Sequence, residues 1–238
     1  MATPLLIVKN ITHEGAGLLE SLLLEYGIAS HSVDLSKGEV FPDPCNYKAL
    51  VALGGPQSAN DETPEMQLQL QRIREALHEE IPFLGICLGI QTLVKAGGGK
   101  VVKSPVKEIG FIDHEGHGYR MEVTEAGKQD PLFAGLGNSF SVFQLHGETV
   151  ELAASGMELL GTGKHCPVQA VRLGKNAYGL QCHFEVTREM LSEWCDIDSD
   201  LKAVDRQKLL EQYDDLRDEY TATSMKILSN FLRIATLV

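Results

Sequence analysis

Gly85-Ile86-Cys87-Leu88-Gly89-Ile90-Gln91 follows directly on a short apolar run, Ile81 to Leu84, and opens a segment, Leu88 to Ala96, that reads as a helix. A cysteine with a glycine two positions away on each side, at a strand-to-helix turn, is built like a nucleophile elbow. The glycines let neighbouring backbone approach a sharply turned residue, and the helix N-terminus puts partial positive charge beside the sulfur. Such a setting favours the thiolate, the reactive form of cysteine. The chain therefore reads as an enzyme with a cysteine nucleophile, provided a base lies within reach.

Upstream of the elbow, strand and helix patterns alternate. Leu5 to Val8 is an apolar run suited to a buried parallel strand, and Leu18, Leu19, Leu22, Leu23 and Tyr26 form a helical stripe. Strands are expected near Ser30 to Leu35 and at Ala49 to Leu53, the latter ending in Gly54-Gly55-Pro56. Thr63-Pro64 is a helix start, with Thr as cap and Pro in the first turn, and Met66, Leu70, Ile73 and Leu77 continue it. This alternation implies a mostly parallel sheet with helices on both faces. Ligands in such sheets bind beyond the carboxyl ends of the strands, where Gly54-Gly55 and Cys87 would both lie.

From Glu108 to Gln181 the pattern changes to short strand-like pieces, Tyr119 to Thr124, Ser139 to Phe143, Val168 to Val171 and Ala177 to Cys182. Turn-rich segments such as Gly161-Thr162-Gly163-Lys164 separate them, which suits antiparallel strands extending one sheet edge. Gly97-Gly98-Gly99 reads as a helix stop. After Thr187 the chain turns helical and charged, with one stripe at Leu209, Tyr213, Leu216 and Tyr220 and another at Leu228, Phe231, Leu232 and Ala235. These read as terminal helices packing on the domain or on a partner subunit. The expectation is an α/β, three-layer fold in one domain over 1–238, with a core of about 5–195 and a C-terminal helical extension, 196–238.

The formal net charge of −12 over 238 residues argues against nucleic acid or an anionic membrane as the main partner. Met1-Ala2-Thr3-Pro4 lacks a basic targeting region, and Leu5 to Val8 is too short to span a membrane. Of the five cysteines, Cys45, Cys166, Cys182 and Cys195 read as small hydrophobes in a reducing, cytoplasmic setting. Asp113, His114, Glu115 and His117 have metal-binding chemistry, but their glycine-rich flanks read as a solvated loop. No metal and no cofactor is expected, and the double glycine lacks the GxxxxGK[ST] spacing that wraps phosphates.

The base is found at Gln181-Cys182-His183-Phe184-Glu185, at the end of the last short strand. In extended chain alternate residues share a face, so His183 and Glu185 can point the same way. A histidine beside a carboxylate supplies a base and the group that orients it, and Cys87, His183 and Glu185 would form a triad.

Gly54-Gly55-Pro56, the Gly85 to Gln91 heptapeptide and Gln181 to Glu185 together resemble, in order and spacing, the signatures of class I (triad) glutamine amidotransferases. Glu14-Gly15-x-Gly17, Lys107-Glu108-Ile109-Gly110, Asp130-Pro131-Leu132-Phe133 and His146-Gly147-Glu148 resemble most the glutaminase domain of GMP synthase and its free-standing relatives. Phe184 stands where the family usually has proline, Glu148 where many relatives have aspartate, and Asp113 to Gly118 is an insertion. These departures leave substrate identity open.

The resemblance implies a flavodoxin-like sheet and hydrolysis of the glutamine side-chain amide. Cys87 would be nucleophile, His183 base and acid, Glu185 the orienting group, and the backbone N–H groups of Gly55 and Leu88 the oxyanion hole. Gln91, one helical turn after Cys87, would hold substrate or serve in packing. Gly54 serves the turn more than contact, and His146 lies near the pocket as loop structure or substrate contact. The ammonia would pass to a synthetase on another chain or be released; no loop here activates an acceptor. Two other readings stay open: a free-standing hydrolase of other gamma-glutamyl compounds, and a catalytically silent scaffold whose terminal helices bind a partner. Oligomeric state is not legible.

Overall fold

The computed structural model describes residues 4–153 and 155–238; the reading of Met1 to Thr3 lies outside them. Strands β1 (Leu5–Lys9), β2 (Ser30–Asp34), β3 (Ala49–Ala52) and β4 (Phe83–Ile86) alternate with helices α1 (Leu18–Tyr26), α2 (Pro64–His78) and α3 (Leu88–Ala96). There follow β5 (Lys100–Gly110), β6 (Arg120–Val123), α4 (Glu125–Gln129), β7 (Ser139–Ser141), β8 (Gln144–Glu151), β9 (Met157–Thr162), β10 (Ala170–Leu173) and β11 (Ala177–Leu180). Helices α5 (Arg188–Ile197) and α6 (Arg206–Ile234) end the chain.

The nine-stranded sheet runs β2-β1-β3-β4-β11-β10-β9-β6-β7. Pairings from β2 to β11 are parallel, and those from β10 outward are antiparallel, the expected edge extension. Successive residues of a strand face opposite sides, and two cores result. Leu5, Ile7 and Val51 join one with α1, α5 and α6, whereas Leu6, Val8 and Leu50 join the other with α2 and α3. Both faces are thereby covered, giving three layers. Thr63 caps α2 as expected, its hydroxyl accepting from the Met66 N–H at 3.2 Å.

Three features differ from the sequence reading. Strands β5 and β8 form a separate antiparallel pair with an irregular register between Lys103 and Glu108. Gly161 and Thr162, expected in a turn, belong to β9 and pair with β10 and β6. The two terminal stripes lie on a single helix, α6, whose Leu209, Tyr213, Tyr220, Ile227, Phe231 and Leu232 are buried in this chain's own core. No helix among the described residues is long and apolar enough to cross a membrane.

Candidate active site

The carboxyl ends of β1, β3, β4 and β11 open into one cavity of about 550 Å³. Loops after these strands deliver His13 and Glu14, Gly55 to Ser58, Cys87 with Leu88 and Gln91, and His183. The β5–β8 pair supplies the facing wall through Lys107 and Leu145 to Glu148, and Ile197 to Asp200 form the rim. Lys107 Nζ ties that rim down through Asp200 at 2.5 Å.

Cys87 is the N-cap of α3 with φ 54° and ψ −104°, a conformation non-glycine residues avoid. Such residues cost on the order of 1–3 kcal/mol and persist only where the surroundings impose them. Here the imposition is steric. A Cβ on Gly85 would stand 2.4 Å from the Gly89 carbonyl, and one on Gly89 would stand 2.2 Å from the Ala52 carbonyl oxygen. Helix α3 therefore seats directly on β3 and β4, and the chain can enter it only through the sharp bend at Cys87. The Cys87 N–H is anchored to the Leu180 carbonyl at 2.9 Å, fixing the elbow to β11.

β11 ends at Leu180, so His183 and Glu185 lie just beyond the strand rather than within it. An isolated antiparallel bridge between Phe143 and His183 holds that segment. The two side chains are buried, and His183 Nδ1 donates to Glu185 Oε1 at 2.7 Å. The second carboxylate oxygen accepts from the Phe184 N–H at 2.9 Å. With Nδ1 engaged, the other ring nitrogen is left to face the cavity that Cys87 also lines, while the Cys87 thiol donates to the Leu145 carbonyl and accepts from Gln181 Nε2, each at 3.7 Å. Burial pushes the imidazole toward neutrality, but the Glu185 carboxylate and the Cys87 sulfur outweigh it and hold His183 well above its ordinary range. Trp194 of α5 packs edge-on against the ring at 5.2 Å. Tyr220 of α6 donates to the His183 carbonyl at 3.2 Å and accepts from the Val186 N–H at 3.3 Å.

Gly55 lines the cavity, and among the described residues neither its N–H nor that of Leu88 meets an acceptor. Leu88, at the first position of α3, owes its free N–H to the helix start. Asn10 Nδ2 donates to the Leu53 carbonyl at 2.8 Å and Gln57 Nε2 to the Asn10 carbonyl at 2.9 Å, stiffening the double-glycine turn. Gln91 is buried, donating at 3.3 Å to both the Glu148 carbonyl and Gln181 Oε1. His146 contributes to the cavity wall, but its ring is turned inward. Nδ1 lies 3.0 Å from the Glu148 carbonyl and Nε2 2.9 Å from Glu108 Oε2.

Among the described residues two clusters have metal-donor chemistry. Glu108, His146 and Cys166 converge in the interior behind the wall, where the Glu108–His146 contact pairs two of the three directly. Asp113, Glu115 and His117 converge at the surface. There Lys164 Nζ already stands 3.0 Å from Asp113 and 2.5 Å from Glu115, taking the place a cation would have. Asp113 is buried within this loop, contrary to a fully solvated segment. The Cys166 thiol is pushed up to about 11 by burial, and burial likewise raises Cys182 and Cys195. Cys87 alone of the five cysteines lines the cavity.

Sequence reasoning passed over Glu14, Lys107, Glu148 and the rim aspartates as site residues. Glu14 had a signal, since it opens the Glu14-Gly15-x-Gly17 match. The rim, Ile197 to Asp200, had none, because only the three-dimensional return of α5 brings it over the cavity.

Comparison with known proteins bears on this arrangement. A model of the family "Glutamine amidotransferase class-I" matches residues 9–192. The glutamine amidotransferase-like protein YfeJ of Salmonella typhimurium is 35% identical over 158 residues, 64% of this chain and 63% of its own. The GMP synthase of Thermosipho melanesiensis is 36% identical over 143 residues, 60% of this chain but 25% of the synthase. The crystal structure of a glutamine amidotransferase from Thermotoga maritima superposes with a TM-score of 0.85 at 30% identity, covering 99% of both chains. One from Methylobacillus flagellatus gives 0.86 at 25% identity, covering 98% of this chain and 96% of that one. The matched family region holds the elbow, the double-glycine turn and the His183–Glu185 pair, and the chain belongs to the class I glutamine amidotransferases.

Proposed function

We propose that this chain hydrolyses the side-chain amide of glutamine through a Cys87–His183–Glu185 triad and a glutamyl thioester, passing the ammonia to a synthetase on a separate chain. The observation that carries the reading is His183, which is held by Glu185 on one ring nitrogen and lines the same cavity as Cys87, whose sulfur adds to the pull on the imidazole. His183 takes the Cys87 proton as the sulfur attacks the amide carbon. The oxyanion that forms is received by the Gly55 and Leu88 N–H groups; losing one such donor typically costs about 3 kcal/mol of transition-state stabilisation. His183 then returns the proton to the nitrogen, the C–N bond breaks and ammonia leaves. Water attacks the thioester, giving its proton to His183, and glutamate departs as the Cys87 thiol is restored.

Glu185 fixes which ring nitrogen faces the sulfur and stabilises the charged ring. Gln91 braces Gln181 and the β8 wall, so the substrate meets a fixed surface, and His146 serves that surface through its backbone. Delivery to a separate synthetase is supported by the likeness to one quarter of a GMP synthase.

A second reading, hydrolysis of larger gamma-glutamyl compounds, is favoured by the cavity itself. At about 550 Å³ it runs from Cys87 out to the rim at Ile197 to Asp200, beyond the reacting amide. Ammonia or amine release by wild type and Cys87→Ser across a panel of gamma-glutamyl amides tests both. Turnover of glutamine that vanishes in Cys87→Ser supports the first reading; turnover of gamma-glutamyl peptides without glutamine turnover replaces it with the second. Activity retained by the variant would overturn both.

A further inference from the structure

Glu14 enters the cavity from the loop after β1, and nothing above gives it a task. Among the described residues its carboxylate has no ion-pair partner and no side-chain hydrogen bond. Its position is nonetheless tightly set. Glu14 Oε2 lies 2.2 Å, and His183 Cε1 3.1 Å, from the point where a Cβ on Gly54 would stand. Carboxylate and imidazole edge thus both crowd the space over the glycine, and a side chain at position 54 would drive one of them away. Gly54 is a clearance for Glu14 as much as a turn residue.

Glu185 does not share this place: it is buried, does not line the cavity, and its oxygens accept from the His183 ring and the Phe184 N–H. Glu14 is the carboxylate beside the imidazole that still has acceptor capacity facing the cavity. The imidazole must deliver a proton to the departing nitrogen, so that nitrogen has to come close to the ring. An amide nitrogen becoming an amine gains positive character and carries N–H bonds in need of an acceptor. A carboxylate at the ring's edge is placed to supply one. The other groups facing Glu14 are Glu185 and Asp198, both acidic, with His183 the one counter-charge. That surrounding favours a cationic visitor. Burial and the two acids lift Glu14 to about 7, against the pull of His183.

We propose that Glu14 is a catalytic residue that accepts a hydrogen bond from the scissile amide nitrogen and holds it as it leaves, so that the site selects amides bearing N–H over esters. The assignment rests on the glutamine-hydrolysis reading and deepens it. It also explains an acidic residue in a place where an anionic leaving group would be repelled.

The test compares L-glutamine with the gamma-methyl ester of L-glutamate, whose leaving oxygen carries no N–H. The full chain is used as wild type, Glu14→Ala and Glu14→Gln. For Glu14→Ala, kcat/KM on glutamine is expected to fall about tenfold or more, the worth of a hydrogen bond to a charged group, while ester turnover changes less than about threefold. Glu14→Gln keeps an acceptor oxygen without the charge, and its loss on glutamine is expected to be intermediate. Ester turnover doubles as the check that each variant is folded. Equal losses on both substrates, or none on either, would overturn the assignment while leaving glutamine hydrolysis in place. A wild type inert toward both substrates would overturn the hydrolysis reading and this assignment with it.

Discussion

Replacing Tyr220 by phenylalanine is a sharp probe of how the C-terminal helix supports the chemistry. Tyr220 sits in α6, 37 positions from His183 in sequence, and its side chain is completely buried. Its hydroxyl donates to the His183 carbonyl and accepts from the Val186 N–H, at 3.2 and 3.3 Å. Phenylalanine keeps the ring packing against Phe111 and Tyr213 but leaves the Val186 N–H unpaired, whereas the His183 carbonyl still accepts from the Phe143 N–H at 3.2 Å. Leaving a buried polar group unpaired costs about 1–3 kcal/mol. The Val186 bond is long, so its loss belongs near the low end, about 1 kcal/mol. For a chain of this size that lowers the melting temperature by roughly 2–4 °C. The His183–Val186 segment also loses its tether, so kcat should fall with little change in KM. Thermal melts with glutamine-dependent ammonia release read both effects. A melting temperature within about 1 °C of wild type, with unchanged kcat, would refute the idea that α6 holds the base in place.

Two further outcomes follow from the geometry. Gly89→Ala places a Cβ 2.2 Å from the Ala52 carbonyl oxygen, so the start of α3 must shift and carry Cys87 with it. A misplacement of about 1 Å costs on the order of 10²-fold in rate, and unchanged kcat in ammonia-release assays would contradict the steric origin of the elbow. Glu14 is raised to about 7 by burial, with Glu185 and Asp198 adding to the rise and His183 opposing it. Its contribution to stability is fully present below 4.5, the ordinary glutamate value, and is lost as pH rises through about 7. Glu14→Gln removes that loss. It should match wild type in urea unfolding at pH 4 and exceed it at pH 8 by about 1–2 kcal/mol after allowing for solvent screening at this partly open site. Equal stability at both values would contradict the buried-carboxylate picture.

What could be read from the chain, and what could not, has physical causes. The elbow was legible because two glycines and a cysteine at fixed spacing are needed to seat a helix on a sheet, a demand met locally. His183 and Glu185 were legible as a pair two residues apart, but their distance from Cys87 is closed only by the parallel pairing of β4 with β11. Strand β5 was hidden because Lys100, Lys103, Pro105 and Lys107 dilute its apolar pattern and its partner, β8, lies more than thirty residues away. Gly161 and Thr162 resembled a turn, yet a Cβ on Gly161 would meet Met121 at 2.7 Å, so the glycine marks close strand packing. The two stripes of α6 read as separate because Thr221, Thr223 and Ser224 interrupt them. In the folded chain Ser224 satisfies its hydroxyl on the Tyr220 carbonyl at 2.6 Å, and the helix continues. Glu14 carried a motif but no visible role, since only the loop after β1 reveals that it faces His183.

The central claim is a covalent glutamyl bond to Cys87 formed with the help of His183. The most direct measurement is intact-protein mass spectrometry, with peptide mapping, on protein acid-quenched during turnover of L-glutamine. Wild type is expected to carry one glutamyl group on the peptide containing Cys87, and Cys87→Ala none, with His183→Ala forming the adduct far more slowly. Ammonia release by Cys87→Ala at the wild-type rate, with no adduct on either protein, would contradict the claim.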